Sequence, residues 1–196
     1  MVLVRVGLIG KTNTGKTTFF NAATLGAAEI STYPFTTKEP NYGTAHVVTL
    51  CVCKEFGVKD SPKNSLCIDG VRYVPVKVID LAGLIPGAHE GRGLGNKFLD
   101  EMRMADALIH VVDAAGSTDA EGRPCPPCSY DPLLEVEAIK REVVLWVSGM
   151  LRRDWAKTTR LVEHGGADVS KILATRLSGL GVMESHVDKA MEKAGL

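Results

Sequence analysis

The sequence predicts an α/β chain with a mostly parallel sheet, followed by a helical segment. Three observations predict it. Short apolar runs near residues 3–9, 45–52, 72–79 and 107–112 are separated by helical or turn-rich stretches, the texture of a layered sheet. A glycine-rich loop at residues 10–17 joins the first run directly to a helical stretch. No strand pattern follows Val112, and from about residue 132 the apolar residues recur at helical spacing.

The 196 residues, 45% hydrophobic, suffice for one domain with a sizeable core plus an appendage, which sets expected boundaries of 1–130 and 131–196. Lysine and arginine number 23, aspartate and glutamate 23, and the formal net charge is zero. That balance gives no direct DNA-binding signal and argues against attachment to anionic membranes. No apolar run reaches the roughly 18 residues needed to span a bilayer. The first ten residues lack a basic leader and run straight into the glycine loop, so a cytoplasmic protein is expected.

Taken in order, residues 3–9 read as a strand and 16–28 as its helix, with Phe19, Ala22, Ala23 and Leu25 placed to face the sheet. Proline and glycine mark 29–44 as loop. A strand over 45–52 precedes a hairpin excursion that turns at Asp69-Gly70 and returns as a strand over 72–79. Five glycines between residues 83 and 95 mark a mobile loop. A helix over 96–104 and a buried strand over 107–112 come next, then a loop over 115–132. Leu133, Val136, Ile139, Val143, Val147, Met150 and Leu151 predict one long helix over 132–156 whose apolar stripe is packing surface. Two shorter helices are expected over 169–177 and 184–194.

The loop Gly10-Lys11-Thr12-Asn13-Thr14-Gly15-Lys16-Thr17 fits the phosphate-binding pattern G-x-x-x-x-G-K-[ST] at every fixed position, and it lies between a strand and a helix as that pattern requires. Backbone N–H groups of such a turn, with the positive end of the helix dipole, favour phosphate. Lys16 is placed to reach β- and γ-phosphates, and the Thr17 hydroxyl to bind Mg²⁺. Asp80-x-x-Gly83 follows an apolar strand 64 residues after Lys16. There an aspartate holds a Mg²⁺-bound water and a glycine N–H bonds the γ-phosphate. Thr36-Thr37 occupy the loop where a first switch carries its Mg²⁺-closing threonine.

Together with Tyr33-Pro34-Phe35-Thr36-Thr37, Pro40-Asn41-x-Gly43 and the glycine-rich run from Asp80 to Asn96, these motifs resemble the Obg superfamily of P-loop GTPases. They are most similar to its YchF branch, the Obg-like ATPases, in an archaeal form. The resemblance covers residues 1–114 strongly and the helical remainder more weakly. It implies a G domain of the P-loop NTPase fold interrupted by a helical insertion. It also implies hydrolysis of GTP, or of ATP as in some members, with Mg²⁺, and partners in translation or on the ribosome. The implied nucleotide-binding residues are Gly10, Lys11, Asn13, Thr14, Gly15, Lys16, Thr17, Thr18, Phe35, Thr36, Thr37, Asp80 and Gly83. Thr17, Thr37 and, through water, Asp80 would serve Mg²⁺, and Lys16, Thr37 and Gly83 would act in catalysis. Leu84 stands where Ras-like enzymes carry a water-orienting glutamine, so hydrolysis is expected to be slow unless His89 or Arg92 substitutes. An asparagine at the place of Asn13 helps related GTPases hold K⁺ beside the phosphates, so K⁺ is a further implied cofactor.

No base-reading N-K-x-D motif is present. Asn96-Lys97-Phe98-Leu99-Asp100 is one residue too long and follows a glycine loop in place of a strand. The expectation is a fragment that stops inside the helical insertion, with base preference undetermined. A binding switch with negligible turnover is the alternative reading, and a small-molecule kinase is disfavoured by the paired switch motifs. The five cysteines form an odd set: Cys51, Cys53, Cys67, Cys125 and Cys128. Reduced thiols in two loops are expected. A zinc site would need cysteines 51, 53 or 67 to complete Cys125-Pro-Pro-Cys128 across space.

Overall fold

The computed structural model describes residues 3–26, 28, 40–90, 100–153 and 155–195. The chain divides into two compact units, Met1–Lys140 and Arg141–Leu196.

The first unit is built on a sheet in the order β2-β4-β1-β5. Strand β1 (Arg5–Ile9) lies between β4 (Val71–Asp80) and β5 (Ala107–His110), parallel to both. β2 (Asn41–Leu50) runs antiparallel along β4, and the short β3 (Leu66–Ile68) pairs antiparallel with the start of β4. The parallel core therefore carries an antiparallel extension. β3 and β4 are joined by Asp69 and Gly70 at φ 48° and 75°, the doubly left-handed pair of a two-residue hairpin turn, as the sequence predicts.

Helix α1 (Lys16–Thr24) covers the sheet with Phe20, which packs with Leu8 and Val78. Phe19 and Leu25, expected on this face, are exposed instead. The reason is phase: Lys16 and Phe20 stand one turn apart on the inner side, which rotates Phe19 outward. The helix also ends earlier than expected, because Leu25 takes a left-handed C-cap conformation.

Three further expectations need adjustment. The second strand ends at Leu50, and Val52 opens the one-turn helix α2 (Val52–Glu55). The strand over 107–112 is not buried: Leu108 and Ile109 are each 43% exposed, since β5 forms an edge of the sheet among the described residues. Of the helix expected over 96–104, residues 100–102 are helical and 96–99 lie outside the described residues.

Helix α3 (Pro132–Arg152) spans the division between the units. Its buried positions are Glu135, Ile139, Glu142 and Trp146, a row at spacings of three and four, whereas Leu133 is 70% exposed. The row includes two glutamates, which an apolar count along the sequence passes over. In the second unit, α4 (Trp155–Gly165) is a separate helix that the sequence reading missed. Its buried position is Thr158, so apolar periodicity does not mark its inner face. Helices α5 (Val169–Leu177) and α6 (Glu184–Ala194) fall where predicted. Asp168 caps α5 by accepting from the Ser170 N–H. Arg176 donates to the carbonyls of Leu151 and Arg153, satisfying orphan acceptors at the end of α3. No helix among the described residues is long and apolar enough to cross a membrane.

Candidate nucleotide-binding site

The parallel register assembles the site. Leu8 of β1 pairs with Asp80 of β4, and Ile9 pairs with His110 of β5. The loops leaving the three strand ends therefore meet at one edge of the sheet, where open α/β folds bind ligands. Gly10 turns the chain at φ 152°, and a Cβ there would lie 2.3 Å from the Val111 carbonyl oxygen, so only glycine fits. Asn13 is left-handed at φ 63°, and Thr14 Oγ1 donates to the Lys11 carbonyl at 3.1 Å. α1 then begins at Lys16 behind Gly15 with no side chain capping it. The first-turn N–H groups of such a terminus are oriented toward an anion.

Lys16 is buried and its Nζ donates to the carbonyls of Lys11 at 2.8 Å and Gly10 at 3.2 Å. Burial lowers its pKa to about 8, against the opposing pull of Asp80 and Glu135. Asp80 is fully buried. Its Oδ2 accepts from the Thr17 hydroxyl at 2.6 Å and from Asn41 Nδ2 at 3.4 Å. Burial raises its pKa, opposed by Thr17, Lys16 and Asn41. Its other oxygen, Oδ1, is buried and has no hydrogen-bond partner among the described residues. A buried, unpartnered carboxylate oxygen next to a threonine hydroxyl is a hard-oxygen donor set, and it fits a magnesium ion. Thr18 is exposed on α1.

The loop after Asp80 is pinned to the phosphate loop. The Leu84 N–H donates to the Gly10 carbonyl at 3.1 Å. A Cβ on Gly83 would sit 2.7 Å from Thr12 Oγ1. The Leu84 side chain is 3% exposed and belongs to the core. His89 is half-buried with Nε2 3.7 Å from Glu90 Oε1. Phe35, Thr36, Thr37 and Arg92 lie outside the described residues.

Sequence reasoning missed the clamp on the other side of the loop. Lys11 is buried, with Nζ donating to the Thr118 carbonyl at 3.0 Å, 3.5 Å from Glu135 Oε2 and 4.4 Å from the centre of the Tyr130 ring. The lysine side chain is thus spent on the fold. Glu135 is itself buried and sits 3.8 Å from His110 Nε2. Burial would raise its pKa, but His110 and Lys11 outweigh that and hold it below the ordinary range. Asn13 Nδ2 donates to the Gly122 carbonyl at 2.8 Å, and a Cβ on Gly122 would meet Thr12 at 2.7 Å. The residues between are shaped by Asp113, which accepts from the Ser117 N–H at 2.8 Å and the Thr118 hydroxyl at 2.6 Å. The one signal available was Asp113 at a strand end with Ser117-Thr118 following, an Asx-type turn.

The family model of the 50S ribosome-binding GTPases matches residues 5–147. The chain belongs to that family. An uncharacterized GTP-binding protein of Methanocaldococcus jannaschii is 50% identical over 189 residues, covering 96% of this chain and 47% of the relative. The ribosome-binding ATPase YchF of Bacillus subtilis is 35% identical over 167 residues, covering 83% and 42%. A crystal structure of a GTP-binding protein from Pyrococcus horikoshii superposes with a TM-score of 0.76 at 36% identity, over 98% of this chain and 47% of that one. The chain therefore spans about half the length of its relatives. It belongs to the Obg/YchF superfamily of P-loop GTPases, as the motifs imply.

Proposed function

We propose that the protein binds GTP, or ATP, with Mg²⁺ and hydrolyses the terminal phosphate slowly. The observation that carries this reading is the Thr17–Asp80 pair at 2.6 Å, beside Lys16 and with Asp80 Oδ1 buried and unpartnered among the described residues. In this reading the backbone of Gly10, Lys11, Asn13, Thr14 and Gly15 cradles the phosphates, with Thr18 following in α1. Lys16 exchanges its loop carbonyls for phosphate oxygens, and the Gly83 N–H meets the γ-phosphate. Thr17 and Asp80, the latter through water, hold Mg²⁺, whose charge would offset that of the phosphates. Phe35, Thr36 and Thr37 enter on their motif alone, as a first switch that closes on the nucleotide. Residues 131–196 form a helical insertion of the G domain. A ribosomal partner is supported by the family description and by the ribosome-binding Bacillus relative, and a cytoplasmic location completes the reading.

The test is single-turnover hydrolysis of γ-labelled GTP and ATP with Mg²⁺. Cleavage faster than in buffer, and lost in Asp80→Asn, is expected. Cleavage no faster than in buffer would favour the second reading, a binding switch with negligible turnover. That reading draws on the burial of Leu84, which leaves an apolar residue where Ras-like enzymes orient water. K⁺ would take Asn13 Oδ1 in the same account. Equal rates in potassium and sodium would remove it.

A further inference from the structure

Far from the glycine loop, three of the five cysteines come together. Cys51 follows β2, Cys53 lies in α2, and Cys67 lies on β3. Their sulfurs all lie within 4.8 Å of one another, and the Cys53 and Cys67 sulfurs are 3.6 Å apart. Asp60 Oδ2 stands 3.3 Å from Cys51 Sγ. We propose that Cys51, Cys53 and Cys67 bind a zinc ion, whose fourth ligand is an oxygen supplied by solvent.

The distances suit that geometry. Zinc–sulfur bonds of about 2.3 Å at tetrahedral angles put sulfurs about 3.8 Å apart. A disulfide would use two of the thiols and leave the third in the same buried cluster, whereas a thiophilic cation uses all three. Three thiolates this close cannot coexist without a cation between them. Metal binding would release the thiol protons to solvent. The surroundings orient the ligands. Arg72, which faces Cys67 across the β3–β4 ladder, pairs with Asp60 and places Nη2 3.2 Å from Cys51 Sγ. Its Nη1 is held by Ser65 Oγ at 2.9 Å, the kind of outer support that metal ligands receive. The Cys51 N–H donates to the Gly70 carbonyl, fixing the first ligand to the hairpin turn. A cavity of about 430 Å³, lined in part by Cys53, Asp60 and Cys67, supplies an entry path.

The excursion also needs such a fastening. Phe56, Val58, Leu66 and Ile68 are all more than half exposed, so residues 51–70 bury little apolar surface of their own. Small segments in that position are commonly held by a structural metal. Cys125 and Cys128 are not in the cluster, so the C-P-P-C spacing is not part of this site.

The test is titration of the reduced full chain with Co²⁺, then Zn²⁺. One equivalent of cobalt should give the strong visible bands of a tetrahedral, sulfur-rich site, displaced by one equivalent of zinc. Zinc-edge X-ray absorption should show three sulfurs at about 2.3 Å and one lighter neighbour at about 2.0 Å. Cys67→Ser should weaken zinc binding at least tenfold, and Cys128→Ser should leave it unchanged. If Cys67→Ser does not fold, the absorption spectrum of the wild-type zinc form decides alone. A zinc shell of only oxygen and nitrogen, no stoichiometric cobalt binding, or undiminished affinity in folded Cys67→Ser would overturn the proposal.

Discussion

The two ends of β4 (Val71–Asp80) hold two polar centres of opposite make. At the C-terminal end, Asp80 and Lys16 bring unlike charges together inside the fold, and the parallel neighbour β1 supplies the loop that joins them. At the N-terminal end, Arg72 stands over three thiols and a carboxylate delivered by an antiparallel hairpin. The first centre is closed on both sides, by Leu84 and Gly83 on one and by Thr118, Gly122 and Glu135 on the other. The second lies in a segment whose apolar residues are exposed, beside an open cavity. Asp80 is flanked by parallel β1 on one side and by Asn41 of antiparallel β2 on the other, so the first centre is enclosed by strands on both sides, whereas the second has antiparallel neighbours, the end of β2 and the short β3 hairpin.

The largest way to sharpen this contrast is Lys16→Met. It should lower GTP affinity at least a hundredfold, about 3 kcal/mol, through loss of charge-assisted bonds to phosphate. It should also make the nucleotide-free protein more stable at pH 7, by up to about 3 kcal/mol, because the wild-type lysine is held at about 8 in place of 10.5. Calorimetric binding and thermal unfolding of one preparation read both. A variant that binds weakly and also melts earlier would show that burial of Lys16 carries no penalty.

The two centres also differ in how far the sequence reveals them. Residues 10–17 and Asp80-x-x-Gly83 are contiguous motifs whose chemistry is set by local backbone, so their position at strand ends could be read directly. Lys11 lies about a hundred residues before His110 and Glu135, and the three meet only through the β1–β5 register and the start of α3, which no local pattern encodes. Cys51-x-Cys53 was visible as a spacing, but its partner Cys67 depends on the hairpin turn at Asp69-Gly70 and the pairing it sets. The misplaced Phe19 and the unseen α4 share one cause. Buried Lys16 and Thr158 mark the inner faces of those helices, and polar residues do not register in an apolar period.

The next effect is on packing. Gly122→Ala places a Cβ 2.7 Å from Thr12 in a left-handed position at φ 81°, and should cost about 1–3 kcal/mol of stability and weaken nucleotide binding with it. Denaturant unfolding checks it; an unchanged midpoint would mean that the 113–130 loop does not clamp the phosphate loop.

A smaller test uses pH. The folded pKa of Lys16 lies below its unfolded value, so its penalty is complete below pH 8, shrinks as pH rises toward 10.5, and is gone above that. The stability gap between Lys16→Met and wild type should therefore close across that window. A gap that is constant from pH 7 to 10.5 would remove the burial argument. Leu84→Gln should give no gain in hydrolysis and lose about 1–2 kcal/mol of stability, because the side chain points into the core. A tenfold rise in turnover would show that position 84 faces the reacting water after all. The smallest effect should be that of Cys67→Ser on GTP affinity. The ends of a ten-residue strand lie about 30 Å apart, so the affinity should stay within twofold, and a larger change would show that the two centres are coupled.

The central claim is that the Thr17–Asp80 pair receives Mg²⁺ with the nucleotide. Titration of wild type and Asp80→Asn with GTP, each in Mg²⁺ and in EDTA, tests it most directly. The account predicts that Mg²⁺ tightens GTP binding at least tenfold in wild type and that Asp80→Asn loses most of that gain. Equal affinity with and without Mg²⁺ in wild type, or a full Mg²⁺ effect in Asp80→Asn, would contradict it.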